Sequence, residues 1–131
     1  MNESILKSAL CQLARAPLQK YVVIRHEDRF TDGIPDISVT GRGKTSWIEV
    51  KYANPKFQCR GIQELTMKRL ALAGLAYFVV YWEQGKDKLT FIVDPTEIGN
   101  EVKTWAKFTR GFDHEWVIRF IQELHNDYDR P

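Results

Sequence analysis

Cysteine is scarce: Cys11 and Cys59 are the only two in 131 residues. Two cannot supply a disulfide framework, and their spacing makes neither a CxxC redox pair nor a zinc cluster. Both are expected to be reduced and structural. Long apolar runs are missing too. No window approaches the roughly 18 uninterrupted apolar residues of a membrane-spanning helix, and the polar start Met1-Asn2-Glu3-Ser4 lacks the basic and apolar regions of a signal peptide. These absences point to the cytoplasm, of a bacterium or a phage-infected host, and away from any membrane partner. There is no glycine-rich phosphate loop and no nucleophilic Ser or Cys arrangement, and no small-molecule cofactor is indicated. Repeats, low-complexity tracts and linker composition are also absent. With 44% of its residues hydrophobic, the chain fits one domain spanning residues 1–131.

An excess of one charge is lacking as well. A formal net charge of +2 is far below that of a histone-like protein, so bulk charge identifies no partner. Its distribution is more informative. Lys51, Lys56, Arg60, Lys68 and Arg69 form a basic stretch opposed only by Glu64, which reads either as a nucleic-acid contact or as a solvated helix face. Acidic residues gather near the C-terminus, at Glu115, Glu123, Asp127 and Asp129.

Periodicity supplies the elements. From Glu3 to about Ala16, apolar Ile5, Leu6, Ala9, Leu10 and Leu13 recur at helical spacing until Pro17. Tyr21-Val22-Val23-Ile24 reads as a short buried strand, and the polar run from Arg25 to Gly33 as a loop. Strand-like segments at 34–40 and 45–52 flank Gly41-Arg42-Gly43-Lys44, whose two glycines suit the positive φ of a tight hairpin turn. A second helix is expected from Gly61 to Ala73, with Ile62, Leu65, Leu70, Leu72 and Ala73 as apolar contacts and Gly74 as its C-terminal cap. Leu75 to Trp82 is a buried strand, Leu89 to Val93 another, and Asp94-Pro95-Thr96 opens a helical turn. A last helix starts near Asp113 with a core stripe of Trp116, Val117, Phe120 and Leu124. The order α-β-β-β-α-β-β-α describes an α/β protein with a mixed sheet.

The hairpin gathers the chemistry. A turn centred between Arg42 and Gly43 pairs Ile37 with Ile48 and sets Asp36 opposite Glu49. Strand alternation then puts Ile34, Asp36 and Ser38 on one face, with Glu49 and Lys51 together on the partner strand. Carboxylates opposed at roughly 5 Å repel unless a cation or a shared proton lies between them. A divalent metal held by Asp36, Glu49 and the Val50 carbonyl removes the conflict. It would polarise a phosphodiester and lower the pKa of the attacking water, which Lys51 is placed to hold. Pro-Asp followed by acid-x-Lys arises by chance in roughly one such chain in twenty, so the motif draws its weight from its surroundings.

Those surroundings are Gly33-Ile34-Pro35-Asp36, then Trp47-Ile48-Glu49-Val50-Lys51, then Gln63 opening a helix that ends at Ala73-Gly74 before Tyr77-Phe78-Val79-Val80. In this combination the sequence resembles the PD-(D/E)XK nuclease superfamily, in particular its small VRR-NUC branch and the related archaeal Holliday junction resolvases, over residues 3–82. The resemblance implies a restriction-endonuclease-like αβββαβ core, here followed by a C-terminal strand and helix. It implies that Asp36 and Glu49 bind Mg²⁺, with Mn²⁺ able to substitute, that Lys51 assists the water, and that Gln63 contributes. The first helix often supplies another acid, and Glu3 fits that place. Arg42, Lys44, Lys56, Arg60 and Lys68 become candidate contacts to DNA, and a homodimer is implied. The activity expected is cleavage of branched or flapped DNA in recombination or repair. A sequence-specific homing or restriction endonuclease, and a DNA-binding module that does not cut, are the alternatives.

Other residues are given ordinary roles. His26-Glu27-Asp28 with Asp32 reads as a solvated loop, with Glu27 a reserve ligand. His114 and His125 lack zinc-spaced partners and read as surface residues. Trp82, Trp105 and Trp116 read as core or interface aromatics.

Overall fold

The computed structural model describes residues 2–27, 34–54, 62–97 and 107–126. Helix α1 (Glu3–Ala14) leads to β1 (Val22–Arg25), β2 (Ile37–Gly41) and β3 (Lys44–Ala53). Helix α2 (Ile62–Ala73) then crosses over to β4 (Leu75–Gln84), which is followed by β5 (Asp87–Val93), a 3₁₀ turn (Pro95–Glu97), β6 (Lys107–Arg110) and α3 (His114–Asn126). The six strands lie in one sheet in chain order, with β3 and β4 parallel and every other neighbouring pair antiparallel. The single parallel pair is the one joined by a helix, as a crossover requires.

Strand alternation divides the core in two. Ile37, Val39, Ile48, Val50, Val79 and Tyr81 pack with Leu6, Leu10, Val117, Ile118 and Ile121 of α1 and α3. Ala53, Ala76, Phe78, Val80 and Val93 pack with Met67 of α2 on the opposite side. Helix α1 is started by Asn2, whose Oδ1 accepts the Ile5 amide at 3.0 Å. Its buried positions are Leu6, Leu10 and Ala14, whereas Ile5 and Leu13 lie outside the stripe and are exposed. In α3, Asp113 accepts the Trp116 amide at 2.9 Å as the expected N-cap.

The hairpin register is the expected one: Ile37 pairs with Ile48, Val39 with Ser46 and Thr40 with Thr45. The turn residues are different. Positive φ falls on Arg42 (56°) and Gly43 (80°), so Gly41 is not a turn glycine. A Cβ on Gly41 would lie 1.9 Å from Tyr21 Cδ1; glycine is needed there because the aromatic ring approaches the backbone.

Four further expectations are corrected. Strand β1 is at the sheet edge among the described residues, and Val22 and Ile24 are exposed because they lie on the face opposite Val23, which packs on the α1–α3 core. Leu65 and Leu72 point away from the α2 core and are exposed. Gly74 has no positive φ and is not a left-handed cap. Strand β6 was not expected, because its four residues carry no alternation and Phe108 is exposed. Among the described residues, no helix is long and apolar enough to cross a membrane.

Candidate active site

The β2–β3 ladder ends at Ile37 and Ile48. The next odd position on β2 is Pro35, which has no N–H with which to extend it. Strand β3 nevertheless runs on to Ala53, leaving amides on its β2 side without a strand partner. Two carboxylates fill the gap. Asp36 Oδ2 accepts the Val50 N–H at 2.8 Å, and Glu3 Oε1, arriving from α1, accepts the Tyr52 N–H at 3.2 Å. A residue in an extended strand directs its N–H and C=O toward the same neighbour, so the Val50 carbonyl also faces this gap.

Asp36 and Glu49 meet as the register requires and share a hydrogen bond. Glu49 is 1% exposed, and its Oε2 has no hydrogen-bond partner among the described residues. Burial, the bond to Asp36 and the Asp36 charge push the Glu49 carboxyl up to about 9, with Lys51 opposing. Burial also raises Asp36, but the bonds from Glu49, Lys7 and the Val50 amide outweigh it and hold Asp36 below the usual carboxylate range. One proton therefore bridges the pair, with Glu49 carrying it and Asp36 ionised. Buried orphan oxygens are rare in folded proteins and need an explanation. Here the donor set is all oxygen: two carboxylates and a backbone carbonyl. No group of three or more His, Cys, Asp and Glu side chains converges among the described residues, so a cation bound here would keep several waters, as Mg²⁺ does.

Lys51 shares the Glu49 face of β3, and its Nζ donates to Gln63 Oε1 at 2.5 Å. The structure thus brings Asp36, Glu49, Val50, Lys51, Gln63 and Glu3 to one end of the sheet. Sequence reasoning missed Lys7, whose Nζ lies 2.7 Å from Asp36 Oδ1. Its one local signal is the spacing: Lys7 follows Glu3 by one helical turn and so shares its face of α1.

Arg42 and Lys44 do not join this group. Arg42 and Lys44 lie at the hairpin turn, the opposite end of β2 and β3, and Lys44 Nζ donates to the Leu124 carbonyl at 2.8 Å. Lys68 forms an ion pair with Glu64 one turn away, at 3.0 Å. Lys56 and Arg60 lie outside the described residues, as do Cys59, Asp28, Asp32 and Trp105. Glu27 is exposed and pairs with Arg25 at 3.1 Å. Of the two histidines expected at the surface, one is internal and the other is half-buried. His125 is fully buried, and His114 Nδ1 lies 2.7 Å from the Tyr81 hydroxyl.

The architecture, a mixed sheet with the acidic hairpin at its centre and helices on both faces, is restriction-endonuclease-like. No family model matches the chain, and no curated protein matches it in sequence. Among solved structures, it is similar to the Holliday junction resolvase Hjc of the archaeal hyperthermophile Archaeoglobus fulgidus, with a TM-score of 0.51. The match covers 83% of this chain and 92% of that one at 12% sequence identity, a likeness of fold.

Proposed function

We propose that this protein is a metal-dependent DNA endonuclease of the PD-(D/E)XK kind, in its VRR-NUC-like branch, acting on branched DNA such as four-way junctions or flaps. The observation that carries this reading is Glu49 Oε2, buried beside Asp36 without a partner among the described residues. Mg²⁺, or Mn²⁺ in its place, would rest on Asp36, Glu49 and the Val50 carbonyl. When bound it supplies Lewis acidity for the phosphodiester and acidifies a water. Asp36 is positioned for this by the Val50 amide, and Glu49 would serve as a ligand in its ionised form, its proton released to solvent. Lys51, steadied by Gln63, directs its ammonium to the attacking water or the phosphate, and Glu3 completes the acidic edge. The resolvase likeness supports branched DNA as the substrate class and a homodimer as the form that cuts two strands.

The test incubates the purified protein with four-way junction, flap, duplex and single-stranded DNA in Mg²⁺, Mn²⁺ or EDTA, beside Asp36→Asn and Lys51→Ala. Metal-dependent cutting of junction or flap is expected, slowed at least about a hundredfold in Asp36→Asn. Cutting in EDTA, or full activity of Asp36→Asn, sinks the mechanism. Equal cutting of every DNA removes the branched-substrate reading, and binding without cleavage identifies a DNA-binding module.

A further inference from the structure

Both Asp36 oxygens have a partner: Oδ2 accepts from the Val50 amide at 2.8 Å and Oδ1 pairs with Lys7 Nζ at 2.7 Å. The Lys7 contact is of a different kind, because an ammonium is a mobile point charge on a flexible stem whereas the amide is fixed in β3. Both side chains of the pair are largely shielded, at 18% and 17% exposure, so the charge–charge attraction is weakly screened. Lys7 and a dication compete for the same carboxylate. Held within a few ångströms of each other in this shielded corner, the two cations would repel.

We infer that Lys7 is the resident counter-ion of Asp36, occupying the carboxylate until a divalent metal displaces it. The inference rests on the metal-site reading above. Lys7 neutralises Asp36 wherever no dication does so, and this stabilises a carboxylate that is largely shielded from water. Metal loading then breaks the Lys7–Asp36 pair, so the site binds metal more weakly than its oxygen set alone would allow. Glu3 and Lys7 lie one helical turn apart, so α1 presents to the same gap an acid that stays on β3 and a base that leaves.

Calorimetric titration of Mn²⁺ into the DNA-free protein tests this, using wild type, Lys7→Met and Lys7→Arg. Lys7→Met should bind Mn²⁺ roughly tenfold more tightly, the scale of one lost charged hydrogen bond, while Lys7→Arg stays near wild type. Equal or weaker binding by a folded Lys7→Met overturns the inference and leaves the metal site standing. Absence of binding in every form overturns both. A second measurement needs no variant: amine acetylation of wild type, read by mass spectrometry, should reach Lys7 several-fold faster in Mn²⁺ than in EDTA. An unchanged rate contradicts displacement.

Discussion

At its closed end the β2–β3 hairpin buries His125 with a partner on each ring nitrogen: the Gly41 carbonyl at 3.1 Å from Nδ1 and Ser46 Oγ at 3.0 Å from Nε2. The Tyr21 ring packs against it at 5.0 Å. At its open end the same hairpin buries Glu49 beside Asp36 and leaves Glu49 Oε2 without a partner among the described residues. Both ends bury an ionisable group in its neutral form. Burial depresses His125, against the Gly41 bond, while burial and Asp36 raise Glu49. One end is satisfied internally and only holds α3 to the sheet. The other keeps a conflict that a ligand would resolve, which is where local rules are expected to fail in a functional protein.

The largest expected effect comes from breaking the satisfied end. His125→Ala opens a cavity and orphans two polar partners, so it should destabilise by about 2–4 kcal/mol, read by denaturant unfolding. Metal affinity per folded molecule should be retained. An equal loss of metal affinity would show that the ends are not separable.

The opposite result is expected at the open end. Glu49→Gln keeps the shape and the neutral state, so the metal-free variant should melt well above wild type at pH 8, and the gap should close as pH falls toward about 4.3. A melting point below wild type at pH 8 would contradict a protonated Glu49.

The smallest effect is the pH profile itself. An unfolded Glu loses its proton near 4.3, whereas folded Glu49 keeps its proton to about 9. Between these values the native state binds more protons, and this end loses stability as pH rises. His125 has the opposite sign: its folded pKa is lowered, so its contribution is full above the unfolded value, near 6.5, and fades as pH falls below it. Metal-free wild type should therefore hold its stability nearly level from pH 5 to about 6.5 and lose it above that; His125→Phe should decline from pH 5 onward, and Glu49→Gln should lose the alkaline-side decline.

The hairpin was legible because Ile37, Val39, Ile48 and Val50 alternate cleanly and the turn residues admit few registers; Asp36 opposite Glu49 followed from that. Gln63 and Glu3 were placed by resemblance, and the structure adds the contacts that hold them, to Lys51 and to the Tyr52 amide. Lys7 was illegible because its partner is distant in the chain and a lysine on an amphipathic helix reads as solvated. His125 was misread for a related reason. Ile118, Ile121 and His125 continue one buried stripe of α3, but a polar residue at the end of a stripe looks like its boundary until Gly41 and Ser46 are known to face it. Strand β6 exists only through its pairing with β5, a non-local fact.

The central claim is that Glu49 waits in protonated form for a metal shared with Asp36, and the most direct test is Mn²⁺ calorimetry at pH 7 in buffers of different ionisation enthalpy. Wild type should bind Mn²⁺ with release of about one proton per ion, and Glu49→Gln should lose that release and most of its affinity. Undiminished binding by Glu49→Gln, or binding by wild type with no proton released, would contradict it.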